Sequence, residues 1–121
     1  MNQSAKMALI AYNALDDKKG EAITVLDIHE ISVLADYFII ASGRNRNQIQ
    51  AMADNVEEAL GRQGYEPKNI EGYKNAAWIL LDYRDVVIHV FSEDDRDFYD
   101  LERIWRDGKQ ITPDELKALA E

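Results

Sequence analysis

A chain of 121 residues, 46% hydrophobic and 31% charged, has the composition of one soluble globular domain, long enough to bury roughly two thirds of the surface its unfolded form exposes. Its apolar runs fall short of the roughly 18 residues that suggest a membrane span, and the absence of cysteine excludes a disulfide framework and a thiolate metal site. With 23 acids against 14 bases the formal charge is -9, which repels phosphate backbones and makes a basic protein surface the better partner.

The opening Met1-Asn2-Gln3-Ser4 has neither a basic leader with an apolar stretch nor an Arg-rich presequence, so a cytoplasmic location is expected. From Ser4 to Asp16, apolar Ala5, Ala8, Leu9, Tyr12 and Leu15 recur at helical spacing, and Lys18-Lys19-Gly20 favours a helix end. The β-branched segment Ala22 to Ile28 predicts a strand. A turn over Ser32 to Ala35 leads into a second strand, Asp36 to Ala41, whose near-continuous apolarity suggests an inner position covered on both faces.

Ile49, Met52, Ala53, Val56, Ala59 and Leu60 then form one helical stripe, with Asn45 or Asn47 available as N-cap and Gly64 beyond the end. Between Tyr65 and Gly72 the pattern is weaker, and Pro67 confines any strand there to an edge or to irregular structure. Next comes a hairpin, Ala77 to Tyr83 and Val86 to Phe91. With its turn centred on Tyr83-Arg84, one side collects Ile79, Leu81, Val86, Ile88 and Val90, a purely aliphatic core face. The other side collects Trp78, Leu80, Asp82, Val87, His89 and Phe91, a mixture closer to a protein interface than to an interior. The blander reading is that the C-terminal segment covers this face and makes a second small core of it.

Ser92 followed by Glu93, Asp94 and Asp95 predicts a helix start. Phe98, Leu101 and Trp105 share a stripe of that helix, and acids lie beside Tyr99 and Trp105 as a polar rim lies around an anchor. From Gly108 to Glu121 the chain reads as a C-terminal tail in which Thr112-Pro113-Asp114-Glu115 starts a short helix. Two long helices interspersed with about five strands predict an α/β domain, a mixed sheet with helices packed on it.

Signs of catalysis are weak. His29 and His89 are the only histidines and lie far apart, so no metal site is expected. Ala41-Ser42-Gly43-Arg44 is not a nucleophile elbow, and there is neither a Walker loop nor a dinucleotide fingerprint. One enzymatic alternative is a nucleotide-binding or nucleotidyltransferase-like activity, since a strand, Ser42-Gly43 and a helix start could hold a triphosphate. The Asp-x-Asp such enzymes need to hold Mg²⁺ does not follow.

Several blocks, in order, carry a resemblance: Ala35-Asp36-Tyr37-Phe38-Ile39-Ile40-Ala41-Ser42-Gly43, Ala53-Asp54-Asn55-Val56-Glu57, Glu71-Gly72-Tyr73, Trp78-Ile79-Leu80-Leu81-Asp82-Tyr83, His89-Val90-Phe91 and Phe98-Tyr99-Asp100-Leu101-Glu102-Arg103-Ile104-Trp105. From about Ala5 to Trp105 the chain resembles the ribosomal silencing factor family, also called Iojap-like. The resemblance implies a nucleotidyltransferase-like fold without catalysis or cofactor. It also implies binding to the large ribosomal subunit through ribosomal protein L fourteen, which blocks subunit joining and represses translation when nutrients are scarce.

The family's interface motifs fall on Trp78, Asp82, His89, Phe91, Tyr99, Asp100, Leu101 and Trp105. The expected division is a silencing-factor domain over 1–107 and a tail over 108–121. Two departures stand out: Arg84 where the family has glycine in the hairpin turn, and Arg44-Asn45-Arg46-Asn47 where it has small hydroxyl residues. A structural homodimer in which the mixed hairpin face meets its own copy is a third, blander reading.

Overall fold

The computed structural model describes residues 2–121. Helix α1 (Asn2–Asp17) leads into strand β1 (Glu21–Asp27), and β2 (Tyr37–Gly43) is followed by the long helix α2 (Arg46–Arg62). Three strands come next: β3 (Asn69–Glu71), β4 (Trp78–Asp82) and β5 (Val86–Ser92). The chain ends with α3 (Glu93–Tyr99), α4 (Leu101–Ile104), β6 (Lys109–Ile111) and α5 (Pro113–Ala120). No helix among the described residues is long and apolar enough to cross a membrane.

The strands form one mixed sheet of six in the order β3-β4-β5-β2-β1-β6. Only β2 and β5 run parallel; every other neighbour pair is antiparallel. The inner position expected for β2 is observed, with all its residues buried. Asn45, one of the two candidate caps, starts α2 by accepting from the Gln48 amide at 2.8 Å. The apolar stripe of α2 from Ile49 to Leu60 faces the core.

The sheet has one strand more than the five or so expected. Strand β6 lies within the segment from Gly108 onward and pairs with β1, Val25 opposite Ile111. Its sequence, Lys-Gln-Ile, is too short to show an alternating pattern, so only the partner strand defines it. The short helix expected after Thr112 is present as α5. A full capping box joins Thr112 and Glu115, and Leu116 and Ala120 are buried in the main core.

In the hairpin the turn centres one residue later than expected, on Arg84-Asp85, with Trp78 opposite Phe91 and Leu80 opposite His89. Asp82 Oδ1 accepts from the Arg84 amide at 2.8 Å. That side-chain turn supports Arg84 in the left-handed region at φ 69°. Moving the centre by one residue changes each residue number's partner by two, and side chains alternate with period two, so the sorting into two faces survives.

Helices α1, α2 and α5 pack on the aliphatic face, forming the main core with Val25, Ile39, Ile79, Leu81, Ile88 and Val90. The opposite face carries a smaller cluster of Leu26, Ile28, Ala35, Phe38, Ile40, Val87 and Phe91. Its cover is thin. Trp78, Leu80, Leu101 and Trp105 pack on it while only partly buried, and neither α3 nor α4 has a fully buried residue.

The single helix expected from Ser92 to Trp105 is corrected to two. Ser92 caps α3 as anticipated, accepting from the Asp95 amide at 3.1 Å. Asp100 then adopts a left-handed conformation (φ 50°, ψ 54°) and α4 sets off in a new direction. The shared stripe is thereby split: Leu101 and Trp105 pack on the sheet, whereas Phe98 is 80% exposed.

Candidate docking face

The thinly covered sheet face is built around Trp78. Its position is set from below by Gly72, at φ 80°, where an added Cβ would come within 2.1 Å of the Trp78 carbonyl oxygen. Only glycine combines that backbone conformation with so close an approach. The Trp78 ring lies 4.9 Å from Phe91 and 4.6 Å from Tyr99, centroid to centroid. Phe38 extends the layer edge-on, 4.9 Å from His89 and 5.2 Å from Trp105. Phe98 meets Tyr99 at a right angle, 5.1 Å away.

Six of the eight site residues expected from the sequence reach the surface at least in part. Tyr99 is 41% exposed, while Trp78, Asp82, Asp100, Leu101 and Trp105 are half-buried. Phe91 has no exposed surface and His89 has 4%. Those two are buried rather than exposed as the sequence suggested; they form the floor on which the other rings rest. The reason is topological: β5 is an inner strand, and the arm formed by α3 and α4 closes over its distal half.

His89 is held neutral. Trp78 Nε1 donates to His89 Nδ1 at 3.1 Å, which puts the imidazole proton on Nε2. Burial lowers the pKa to about 4. Nε2 has no hydrogen-bond partner among the described residues, and an orphaned buried donor of this kind costs about 1–3 kcal/mol.

Asp82 and Asp100 have structural partners of their own. Asp82 supports the hairpin turn, and Asp100 accepts from Arg103 Nε at 3.1 Å. Beside the rings a shallow cleft of about 480 Å³ opens between the loop after β1 and the hairpin turn. It is lined by Leu34, Phe38, Leu80, Val87 and His89, with Lys68 and Asp85 among its charged residues. The tip of that loop exposes Val33 and Leu34.

Sequence reading missed Phe38, Val33, Leu34 and Arg96 as members of this neighbourhood. Apolar residues inside a turn segment were the available signal for Val33 and Leu34. A lone cation in the run Glu93 to Asp97 was the signal for Arg96.

At the other end of β2, the Ser42-Gly43 step is explained by packing. An added Cβ on Gly43 would lie 2.9 Å from Ile49 Cγ1, so the glycine lets β2 run close beneath α2. The start of α2 is already supplied with acceptors from the chain itself. Asn45 caps the Gln48 amide, and Gln48 Oε1 takes the Arg44 amide at 2.7 Å. The Arg44 guanidinium is paired with Glu21. Among the described residues, no group of three or more His, Asp or Glu side chains could hold a metal ion.

A mixed sheet with three helices on one face and a half-open aromatic layer with acidic neighbours on the other defines a small α/β domain with one incompletely covered sheet face. Residues 1–121 match the family model described as ribosomal silencing factor during starvation, and the chain belongs to that family. It is 43% identical over 108 residues to the ribosomal silencing factor of Bacillus subtilis, covering 89% of this chain and 91% of that one. Identity to the corresponding factor of Halalkalibacterium halodurans is 43% over 102 residues, 84% of this chain and 87% of the relative. The crystal structure of a Chromobacterium violaceum protein superposes with a TM-score of 0.81 at 34% identity, covering 88% of each chain. Both the Bacillus subtilis and the Halalkalibacterium halodurans relatives are named ribosomal silencing factors.

Proposed function

We propose that the chain silences ribosomes in the cytoplasm by docking its aromatic and acidic face on ribosomal protein L fourteen of the large subunit. Bulk placed at that surface keeps the small subunit from joining, which represses translation when nutrients are limiting. Steric exclusion of this kind requires no turnover. The observation that supports it best is the half-exposed ring layer of Trp78, Tyr99 and Trp105 on the sheet face that only the short α3–α4 arm covers, in a chain of this family. Large aromatics with an apolar body and a polar edge are the side chains that most often dominate binding energy. A formal charge of -9 suits the basic partner.

In this reading Trp78, Tyr99, Leu101 and Trp105 are the anchors and Asp82 and Asp100 belong to the acidic rim. His89 and Phe91 fix the anchors from beneath. The binding residues lie within 1–107, and 108–121 serves the scaffold.

The test is co-sedimentation with purified bacterial large subunits. Trp78→Ala with Trp105→Ala should lose binding while retaining the far-UV spectrum and cooperative unfolding of the parent. Truncating hot-spot aromatics costs at least about 2 kcal/mol, roughly thirtyfold in affinity. Undiminished binding by the folded double variant would overturn the assignment. Sedimentation of the free protein at several concentrations tests a dimer through the same rings: if the double substitution abolishes a dimer and leaves ribosome binding intact, the face is a self-association surface instead.

A further inference from the structure

The arm that carries Tyr99, Leu101 and Trp105 is too short to be helical by itself. With 7 residues in α3 and 4 in α4, it lies below the roughly 12 residues at which isolated helices become even marginal. Neither segment has a fully buried side chain to tie it down. One polar group crosses from the arm to the sheet at several points. The Arg96 side chain is 11% exposed. Its Nη1 donates to the Glu21 carbonyl at 3.3 Å and to Ser42 Oγ at 3.4 Å, and its Nη2 donates to Thr24 Oγ1 at 3.2 Å. The same guanidinium grips Glu102 of α4 with two nitrogens, Nε to Oε1 at 3.3 Å and Nη2 to Oε2 at 3.0 Å.

That grip is incompatible with an unbroken helix. Six residues along a regular helix, Arg96 and Glu102 would be about 9 Å apart along the axis and about 120° apart around it. They meet because Asp100 turns left-handed and sends α4 back. The apolar spacing of Phe98, Leu101 and Trp105 favours the alternative, one continuous helix with all three on a single stripe. In the observed arrangement Phe98 is given up to solvent while Trp105 is set against Phe38 and Tyr99 against Trp78.

We infer that Arg96, through its fork to Glu102 and its bonds to β1 and β2, is the latch that holds the arm in its broken form and so positions the docking rings. Arg96 is a positioning residue for the proposed interface, and this inference rests on the ribosome-docking reading for its binding consequence alone. Its planar fork suits the task in a way a lysine does not, since one guanidinium serves acceptors in three elements at once.

The test couples hydrogen exchange with co-sedimentation on purified bacterial large subunits. Arg96→Met should raise exchange of the arm amides, 93–105, at least tenfold with β2 and β5 as protected as in the parent, and should weaken large-subunit binding about tenfold or more. Arg96→Lys should recover only part of either. If Arg96→Met unfolds globally, Glu102→Gln replaces it, because that change leaves the bonds of Arg96 to the sheet in place and loosens only the fork. Arm protection equal to the parent's, or a loosened arm with undiminished binding, overturns the inference. Failure of the parent itself to co-sediment would sink the docking reading, and the exchange result would then decide the latch independently.

Discussion

At the level of single residues, His89 illustrates how burial converts chemistry into stability. Its pKa falls to about 4 because the ring is sealed between Trp78 and Phe38, while the unfolded chain titrates near 6.5. Above pH 6.5 both states are neutral there and the group is indifferent. As pH falls through 6.5 the unfolded state takes up a proton that the native state refuses, so stability declines until about pH 4, where the native state also protonates. Each pH unit in that window is worth about 1.4 kcal/mol. Between pH 7.5 and pH 5, urea unfolding should show a loss of about 2 kcal/mol from this group, by the same linkage. His89→Gln, which cannot titrate, should lack this component, and identical pH dependence in parent and variant would show that the ring is not desolvated.

The elements differ sharply in how far local sequence accounts for them. Helix α2 announces itself fully: a capping asparagine, a stripe of Ile49, Met52, Val56 and Leu60, and a glycine past its end all agree. Strand β2 does the same through continuous apolarity. The acidic helix does not, because the periodicity of Phe98, Leu101 and Trp105 points to one long helix, and nothing local reveals that Arg96 can reach both the sheet and Glu102. Strand β6 and helix α5 show the other side of the problem. Three residues cannot express a pattern, and a helix of 8 residues acquires its stability from α1 and the core beneath it. Leu116, fully buried, should therefore matter far beyond its position near the end: Leu116→Ala should cost about 2–5 kcal/mol by thermal or denaturant unfolding. A change below about 0.5 kcal/mol, the range of surface substitutions, would mean that α5 frays from the scaffold.

For the whole molecule, charge and layering act together. The helix-covered face secures the fold, which leaves the other face free to keep rings half-exposed. A net charge of -9 should steer encounter with a basic partner, so the association rate with large subunits should fall as salt rises toward 0.5 M, where screening shortens to well under the roughly 8 Å of physiological solutions. If the rings anchor the proposed docking, dissociation should change much less. An association rate independent of salt in stopped-flow measurements would remove electrostatics from the recognition.

Composition and periodicity by themselves determined the class of fold, the aliphatic side of the hairpin, the inner place of β2 and the acid balance, because each depends on residue type and on spacings of two or three to four along the chain. Family resemblance also pointed to the rings. Only tertiary structure decided that Phe91 and His89 are floor rather than surface, that Asp100 breaks a helix, that Arg96 fastens the arm and that the last residues complete the sheet. These outcomes depend on contacts between residues as much as 75 apart in sequence, and no local pattern encodes which distant group will fill a given space.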